Sequence, residues 1–254
     1  FDGFPQAMRE HASTTGILRH LPAYAGFYFK KEIESLSNLL ENPERPFTFI
    51  IGGAKISDKI DSLNNLLPKT DKVLIGGALA NVFFKSKGIV LGNSFVEDVF
   101  VDEKRREKKD LVQYARQILS SYEEKIVLPV DVVISDGTTV KNINIEEGIP
   151  ESFSAMDIGS NTQQIFSDYI KNSRTVLLAG PMGKFESDKM KEGTKAVMMA
   201  MKNLQGTTIV AGGDTIDAAL EFGKLEDYSH VSLAGGATLE FLAGKELPVL
   251  KMLQ

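Results

Sequence analysis

The residues able to do chemistry sit directly after short apolar runs. Gly52-Gly53-Ala54-Lys55-Ile56-Ser57-Asp58-Lys59 places two lysines four positions apart, and at a helix start they would share one face. Lysine beside the positive end of a helix dipole is unfavourable unless an anion is near. A solvated pair and an anion-receiving pair therefore both remain open. Asp214-Thr215 follows Gly212-Gly213, which sets a carboxylate and a hydroxyl where a helix begins. Asp214 reads either as a helix cap or as a carboxylate near Mg²⁺, an ion that takes few protein ligands plus phosphate oxygens. Glu186, after Gly183-Lys184-Phe185, reads as a first-turn glutamate or as a ribose acceptor. His11, His20 and His230 have no metal-ligand spacing, and His230 reads as a structural hydrogen-bonder at a strand start.

Five apolar runs end in glycine: at Gly52-Gly53, Gly76-Gly77, Gly180-Pro181-Met182-Gly183, Gly212-Gly213 and Gly235-Gly236. As parallel strands of one sheet they would bring all five turns to its carboxyl edge, where doubly wound folds bind ligands. Glycine there lets backbone approach a ligand and leaves helix-start N–H groups exposed to an anion. Turn geometry alone accounts for one such turn; five on one edge point to a ligand. No G-x-G and no G-x-x-x-x-G-K occurs, so the dinucleotide fingerprint and the Walker A loop are both absent. A phosphate site would have to be assembled from several turns.

The elements that must position these residues are strands at Phe47–Ile51, Val73–Ile75, Val130–Ile134, Thr175–Ala179, Thr207–Ala211 and His230–Ala234. Most are wholly apolar rather than alternating, as expected of strands covered on both faces. Helical periodicity predicts helices over Ser57–Leu67, Ala80–Lys87, Glu103–Tyr122, Gln163–Asn172, Lys189–Leu204 and Asp214–Phe222. The alternation implies an α/β fold: a doubly wound, Rossmann-like, mostly parallel sheet with helices on both faces, an α+β arrangement being the alternative. Residues 1–28 read as a connector feeding a helix from about Phe29 to Leu40, and 29–254 as the domain proper. Lys141–Asp157 is turn-rich and is expected as a small excursion beside the sheet.

The 254 residues are 43% hydrophobic and 25% charged, with net charge −5. That balance suits a globular domain and excludes a general phosphate-backbone binder. No cysteine is present, which removes disulfides, zinc–thiolate sites and thiol nucleophiles. The N-terminal stretch has no basic region followed by an apolar run, and nothing approaches 18 uninterrupted apolar residues. The opening Phe1-Asp2-Gly3-Phe4 reads like the interior of a longer protein, and a cytoplasmic location without membrane or nucleic-acid partners is expected.

Taken together, these segments resemble phosphoglycerate kinase. The matching stretches are Arg9-Glu10-His11-Ala12-Ser13, Arg45-Pro46-Phe47, Gly52 to Lys59, Ile75 to Ala78, Leu128 to Asp131 and Met156-Asp157-Ile158-Gly159. They continue with Gly180-Pro181-Met182-Gly183, Phe185-Glu186, Gly212 to Thr215, Ser229 to Ser232, and Leu239 to Lys245. Their order and spacing agree across essentially the whole chain.

The resemblance implies two Rossmann-like domains closing on a hinge. It also implies phosphoryl transfer between ADP and 1,3-bisphosphoglycerate, giving Mg-ATP and 3-phosphoglycerate. Residues 1–28 would then be the hinge segment and 29–254 the C-terminal, nucleotide-binding domain. The N-terminal domain that carries most of the phosphoglycerate site has no counterpart here. By the same resemblance Lys55 and Lys59 contact nucleotide phosphates, Lys59 also stabilising the transferred group. Glu186 holds the ribose and Asp214 the metal. Gly212, Gly213, Thr215 and Gly236 offer backbone or hydroxyl groups to the phosphates, Lys55, Lys59, Gly213 and Gly236 forming the catalytic set. Gly77 and Gly159 line the adenine pocket, and Arg9 holds phosphoglycerate across the hinge. A monomer is expected.

The departures lie near the hinge, where Pro5, Gln6 and Met8 replace the family's usual glycine, threonine and histidine. Ala179 and Lys184 stand where asparagine and valine are usual, and Ala211 and Ala234 replace glycines. The chain alone is accordingly expected to bind ADP or ATP without turnover. Two rivals are a non-catalytic nucleotide- or phosphometabolite-binding module and a dehydrogenase, the latter suggested by fold class alone and opposed by the missing G-x-G.

Overall fold

A computed structural model describes residues 1–57, 59–102 and 107–253. The chain opens with short irregular helical turns and then forms α1 (Phe27–Glu41), β1 (Phe47–Ile51), α2 (Ile60–Leu66), β2 (Lys72–Ile75) and α3 (Leu79–Ser86). Next come β3 (Val99–Asp102), β4 (Glu107–Asp110), α4 (Leu111–Ser121), β5 (Ile126–Val127), β6 (Asp131–Ser135), β7 (Val140–Asn144) and β8 (Ser154–Ile158). The remainder is α5 (Ser160–Lys171), β9 (Thr175–Ala179), α6 (Glu192–Lys202), β10 (Thr207–Ala211), α7 (Gly213–Phe222), β11 (His230–Ser232) and α8 (Gly236–Leu242).

The main sheet runs β11-β10-β9-β1-β2-β5, with every pairing parallel. Side chains alternate faces along a strand, and that period sorts the sequence into two cores. Phe47, Phe49 and Ile51 of β1, with Val73 and Ile75 of β2 and Leu177 of β9, pack on one face. Ile50, Leu74, Val176 and Leu178 pack on the other, against Phe166 of α5 and Met198 of α6. Each such large side chain, fully withdrawn from water, contributes about 1.5–3 kcal/mol. Both faces are covered, so the sheet is doubly wound, as the apolar runs imply.

Several boundaries differ from those expected. Val130–Ile134 is no strand of the main sheet. Pro129 has no N–H to continue a parallel ladder; the sixth strand is Ile126–Val127, and Asp131–Ser135 enters a separate antiparallel sheet, β7-β6-β8. That sheet is the excursion expected over Lys141–Asp157, although it is strand rather than turn. The helix expected over Glu103–Tyr122 starts at Leu111, where the Asp110 carboxylate caps it by accepting from Gln113 N at 2.9 Å. Upstream, Val99–Asp102 pairs with Glu107–Asp110, while residues 103–106 of the expected helix lie outside the described residues. The helices expected from Ser57 and from Lys189 start later, at Ile60 and Glu192.

The start of the chain packs against this domain. Phe4 is fully buried, edge-on to Phe29 at 5.4 Å and to Phe241 at 6.4 Å between ring centroids. His230 is indeed a structural hydrogen-bonder: its Nε2 lies 2.8 Å from Glu32 Oε2, and Tyr28 Oη donates to Glu32 Oε1 at 2.6 Å. Burial opposes the Glu32 charge, but the bonds from His230 and Tyr28 outweigh it and hold the carboxyl below its ordinary value. This buried cluster pins α1 to β11, the strand that leads to the Gly235-Gly236 turn.

Candidate functional site

Five strands of one parallel sheet deliver the five glycine turns to its carboxyl edge. The glycines there are of two kinds. Gly52 and Gly180 press backbone against backbone: a Cβ on Gly52 would strike Pro181 O, and one on Gly180 would strike Gly52 O. Several turn amides are spent knitting the turns together, with Gly53 N donating to Pro181 O at 2.8 Å and Gly77 N to Met182 O at 2.9 Å. Close packing thus explains part of the glycine pattern without a ligand. Gly213 is different, since a Cβ there would meet nothing within 4 Å. Its backbone stands open at the start of α7.

The two lysines do not share a helical face. Helix α2 begins at Ile60, with Lys59 as its N-cap residue, and Lys55 is exposed on the preceding loop. Ser57 holds that loop, its N and Oγ donating to Glu97 at 3.0 and 2.5 Å; Asp58 lies outside the described residues. The loop nevertheless folds Lys59 back over the first glycine turn, its Nζ 3.2 Å from where a Gly53 Cβ would stand.

Asp214 is exposed in the first turn of α7. The N-cap is Gly212, and no side chain caps the helix, so the capping reading of Asp214 fails. Thr215 is fully enclosed, its Oγ1 accepting from Gly180 N at 2.8 Å; it braces the β9 turn against α7. Glu186 is exposed on the loop before α6, not in a first helical turn. Gly159 abuts Asp131, whose carboxylate accepts from Thr162 N and Asn161 N at the start of α5 at 2.8 and 3.0 Å. Gly236 faces Met8, and Arg9 is exposed.

A cleft of about 410 Å³ opens between the carboxyl edge and the antiparallel sheet. Its walls include Gly53 and Gly77 on one side and Gly183, Lys184, Glu186 and Asp214 on another, over an apolar floor containing Phe84, Met156 and Met182. The structure therefore gathers Gly77, Glu186 and Asp214 into one space with Lys59 beside it. Gly159 and Arg9 stand apart from that lining, and Gly236 lines a separate depression with Met8 and Lys245. A larger groove of about 890 Å³ runs along β5 and is lined by none of the candidate site residues Arg9, Lys55, Lys59, Gly77, Gly159, Glu186, Asp214 or Gly236.

The described residues contain no group of three His, Asp or Glu side chains able to hold a metal ion. A single exposed carboxylate such as Asp214 fits an ion that arrives with phosphate oxygens and keeps its waters, and does not by itself make a resident structural metal site. Asp157, unmarked by any sequence motif for catalysis, also lines the cleft. Burial pushes its carboxyl up to about 7, against hydrogen bonds from Gly193 N and Ile158 N. No helix among the described residues is long and apolar enough to cross a membrane.

The phosphoglycerate kinase family profile matches residues 1–245. The chain belongs to the phosphoglycerate kinase family. Phosphoglycerate kinase of Thermosipho africanus is 46% identical over 97% of this chain, and that of Pseudothermotoga lettingae 42% over 98%. The phosphoglycerate kinase structure from Coxiella burnetii superposes with a TM-score of 0.88 at 35% identity, covering 98% of this chain and 63% of that one. The structure from Pyrococcus horikoshii gives 0.87 at 34%, covering 100% and 62%. The chain spans 61% of the length of the Thermosipho africanus relative and 62% of that of Pseudothermotoga lettingae. Met8 lies across the Gly236 turn, and Lys184 is exposed on the cleft wall.

Proposed function

We propose that this chain is the nucleotide-binding half of a phosphoglycerate kinase, taking ADP or ATP with Mg²⁺ at the carboxyl edge of its sheet. The observation that carries the reading is the convergence of Glu186, Asp214 and Gly77 on one cleft, with Lys59 Nζ folded over the Gly53 turn. In this reading the base enters the apolar end near Gly77 and Met156, with Gly159 behind it. Glu186 accepts from the ribose, and Lys55 and Lys59 neutralise phosphate charge. Gly212, Gly213 and Gly236 offer backbone N–H groups, Thr215 holds its turn in place, and Asp214 meets the metal that the nucleotide brings. Bound Mg²⁺ would supply charge neutralisation at the phosphates.

The reaction proposed for the whole protein is phosphoryl transfer between 1,3-bisphosphoglycerate and ADP, giving 3-phosphoglycerate and ATP. Such chemistry needs positioning and electrostatic stabilisation rather than a protein nucleophile. The acceptor side is nearly empty here, Arg9 being its one matched residue. Holding both reactants in line supplies on the order of 7–11 kcal/mol of such a barrier, so the chain alone binds nucleotide without turnover. The test is coupled ATP formation from 1,3-bisphosphoglycerate and ADP, with a full-length family member as control. Robust turnover by this chain alone would overturn the reading. A second reading, a non-catalytic nucleotide-binding module, draws on Met8 covering the Gly236 turn; it predicts no turnover even after a complete N-terminal domain is supplied.

A further inference from the structure

Asp157 has no part in the chemistry proposed above, yet three elements meet on its carboxylate. It stands near the end of β8 and is 5% exposed. Oδ2 accepts from Gly193 N, in the first turn of α6, at 2.7 Å, and Oδ1 accepts from Ile158 N at 2.8 Å. Gly183 and Gly193 are both pressed against it, since a Cβ on either would collide with Oδ1. Gly183 leads directly into the loop that carries Glu186. Lys184 N donates to Met156 O at 2.8 Å, tying that loop to the residue before Asp157. Met182 N donates to Thr194 Oγ1 at 3.1 Å, tying the same loop to α6.

Among the described residues no cation pairs with this carboxylate. Glu192, at the start of α6, is the charge acting on it, and it repels. The adjoining loop carries Lys184, Glu186, Asp188 and Lys189, all exposed, and Lys191, which pairs with Asp188 at 2.5 Å and Glu221 at 3.8 Å. A buried carboxylate without a cation is costly to the fold, and a neutral side chain would join these elements at a smaller cost. Ionisation matters to the geometry for a simple reason. A carboxylate accepts from both amides with its full charge, whereas its protonated form is a weaker acceptor and the two bonds lose their charge assistance.

We propose that Asp157 is a positioning residue whose ionised carboxylate holds the Gly183–Glu186 wall and the first turn of α6 against β8, so that the cleft binds adenine nucleotide weakly once Asp157 is protonated. The proposal rests on the nucleotide reading above, and its test separates the two. The first measurement is made without ligand: the chemical shift of the Gly193 amide, followed by NMR from about pH 5 to about pH 9. The second is ADP affinity by calorimetry over the same range, in the wild-type chain and in Asp157→Asn, the variant removing the titration of ADP itself from the comparison.

The Gly193 amide is expected to titrate near neutrality in the wild type. ADP affinity is expected to fall about tenfold from the alkaline to the acid end, the size of one weakened charge-assisted bond. Asp157→Asn should bind weakly throughout, with only the shallow pH dependence of ADP. A Gly193 amide that does not move overturns the proposal whatever ADP does, and this needs no variant to fold. A titrating amide with equal pH dependence of ADP binding in both chains also overturns it, leaving the nucleotide reading intact. A titrating amide with no ADP binding at any pH overturns the nucleotide reading and the proposal with it.

Discussion

Thr215→Val tests how the turns at the carboxyl edge are held together. Thr215 is fully buried, and its Oγ1 accepts from Gly180 N at 2.8 Å. Gly180 itself is buried with φ +103°, a conformation that L side chains rarely adopt. Valine keeps the shape and removes the acceptor, stranding a buried N–H at a cost of about 1–3 kcal/mol. The added methyl recovers roughly 0.8 kcal/mol, which leaves a net loss of up to about 2 kcal/mol. In a domain of this size that lowers Tm by about 2–4 °C per kcal/mol. The assay is urea unfolding followed by circular dichroism, reading the midpoint at constant slope. Thr215→Ser keeps the acceptor, so it should retain the turn and lose only methyl packing. Valine as stable as wild type, with weakened ADP binding, would refute the bracing account and return the hydroxyl to the phosphates.

Lys59→Ala is expected to weaken ADP binding by about 1.5–3 kcal/mol, one charge-assisted contact, with a near-normal melting curve; unchanged affinity would remove Lys59 from the phosphate contacts. Asp214→Asn should weaken Mg-nucleotide more than metal-free nucleotide, because the carboxylate caps nothing; equal losses in parallel titrations would remove the metal role. The two buried acids should act in opposite directions on stability. Glu32, held below its ordinary 4.5, contributes stability that is present above that pH and lost as pH falls through the lowered value. Asp157, raised from 3.8 to about 7, contributes stability present below pH 3.8 and lost as pH rises through 7. Unfolding free energies against pH check both. Glu32→Gln should flatten the acid limb. The stability of Asp157→Asn relative to wild type should grow up to about pH 7 and then level off, by on the order of 4 kcal/mol at most.

The strands of the main sheet were legible because burial on both faces leaves an uninterrupted apolar run. Phe47–Ile51 and Thr175–Ala179 are bounded as their composition predicts. Val130–Ile134 has the same composition, but which sheet it joins is settled by Pro129, whose effect is on pairing and not on local propensity. The β3–β4 hairpin was hidden by the charged stretch Glu107-Lys108-Lys109-Asp110, which suits a helix as well as an exposed strand. The capping aspartate Asp110 was a readable helix start that the broader periodicity concealed. Glu186 and Asp214 stand out in the sequence as carboxylates beside glycine turns, and the fold brings both to one cleft. The glycines themselves mislead, since Gly52 and Gly180 serve turn-on-turn packing while Gly213 stands open, and a one-letter code does not distinguish them. Asp157 closes the stretch Lys141–Asp157 that the sequence marks only as turn-rich. Its partner Gly193 lies 36 residues away in sequence, and only the folded chain brings the two together.

The central claim is that the cleft at the carboxyl edge binds adenine nucleotide. Calorimetric titration of the purified chain with ADP, with and without Mg²⁺, measures it directly. The account predicts saturable binding to one site, strengthened by Mg²⁺ and weakened in Lys59→Ala and Asp214→Asn. No detectable heat with either form of ADP, from a chain whose melting curve shows it to be folded, would contradict it.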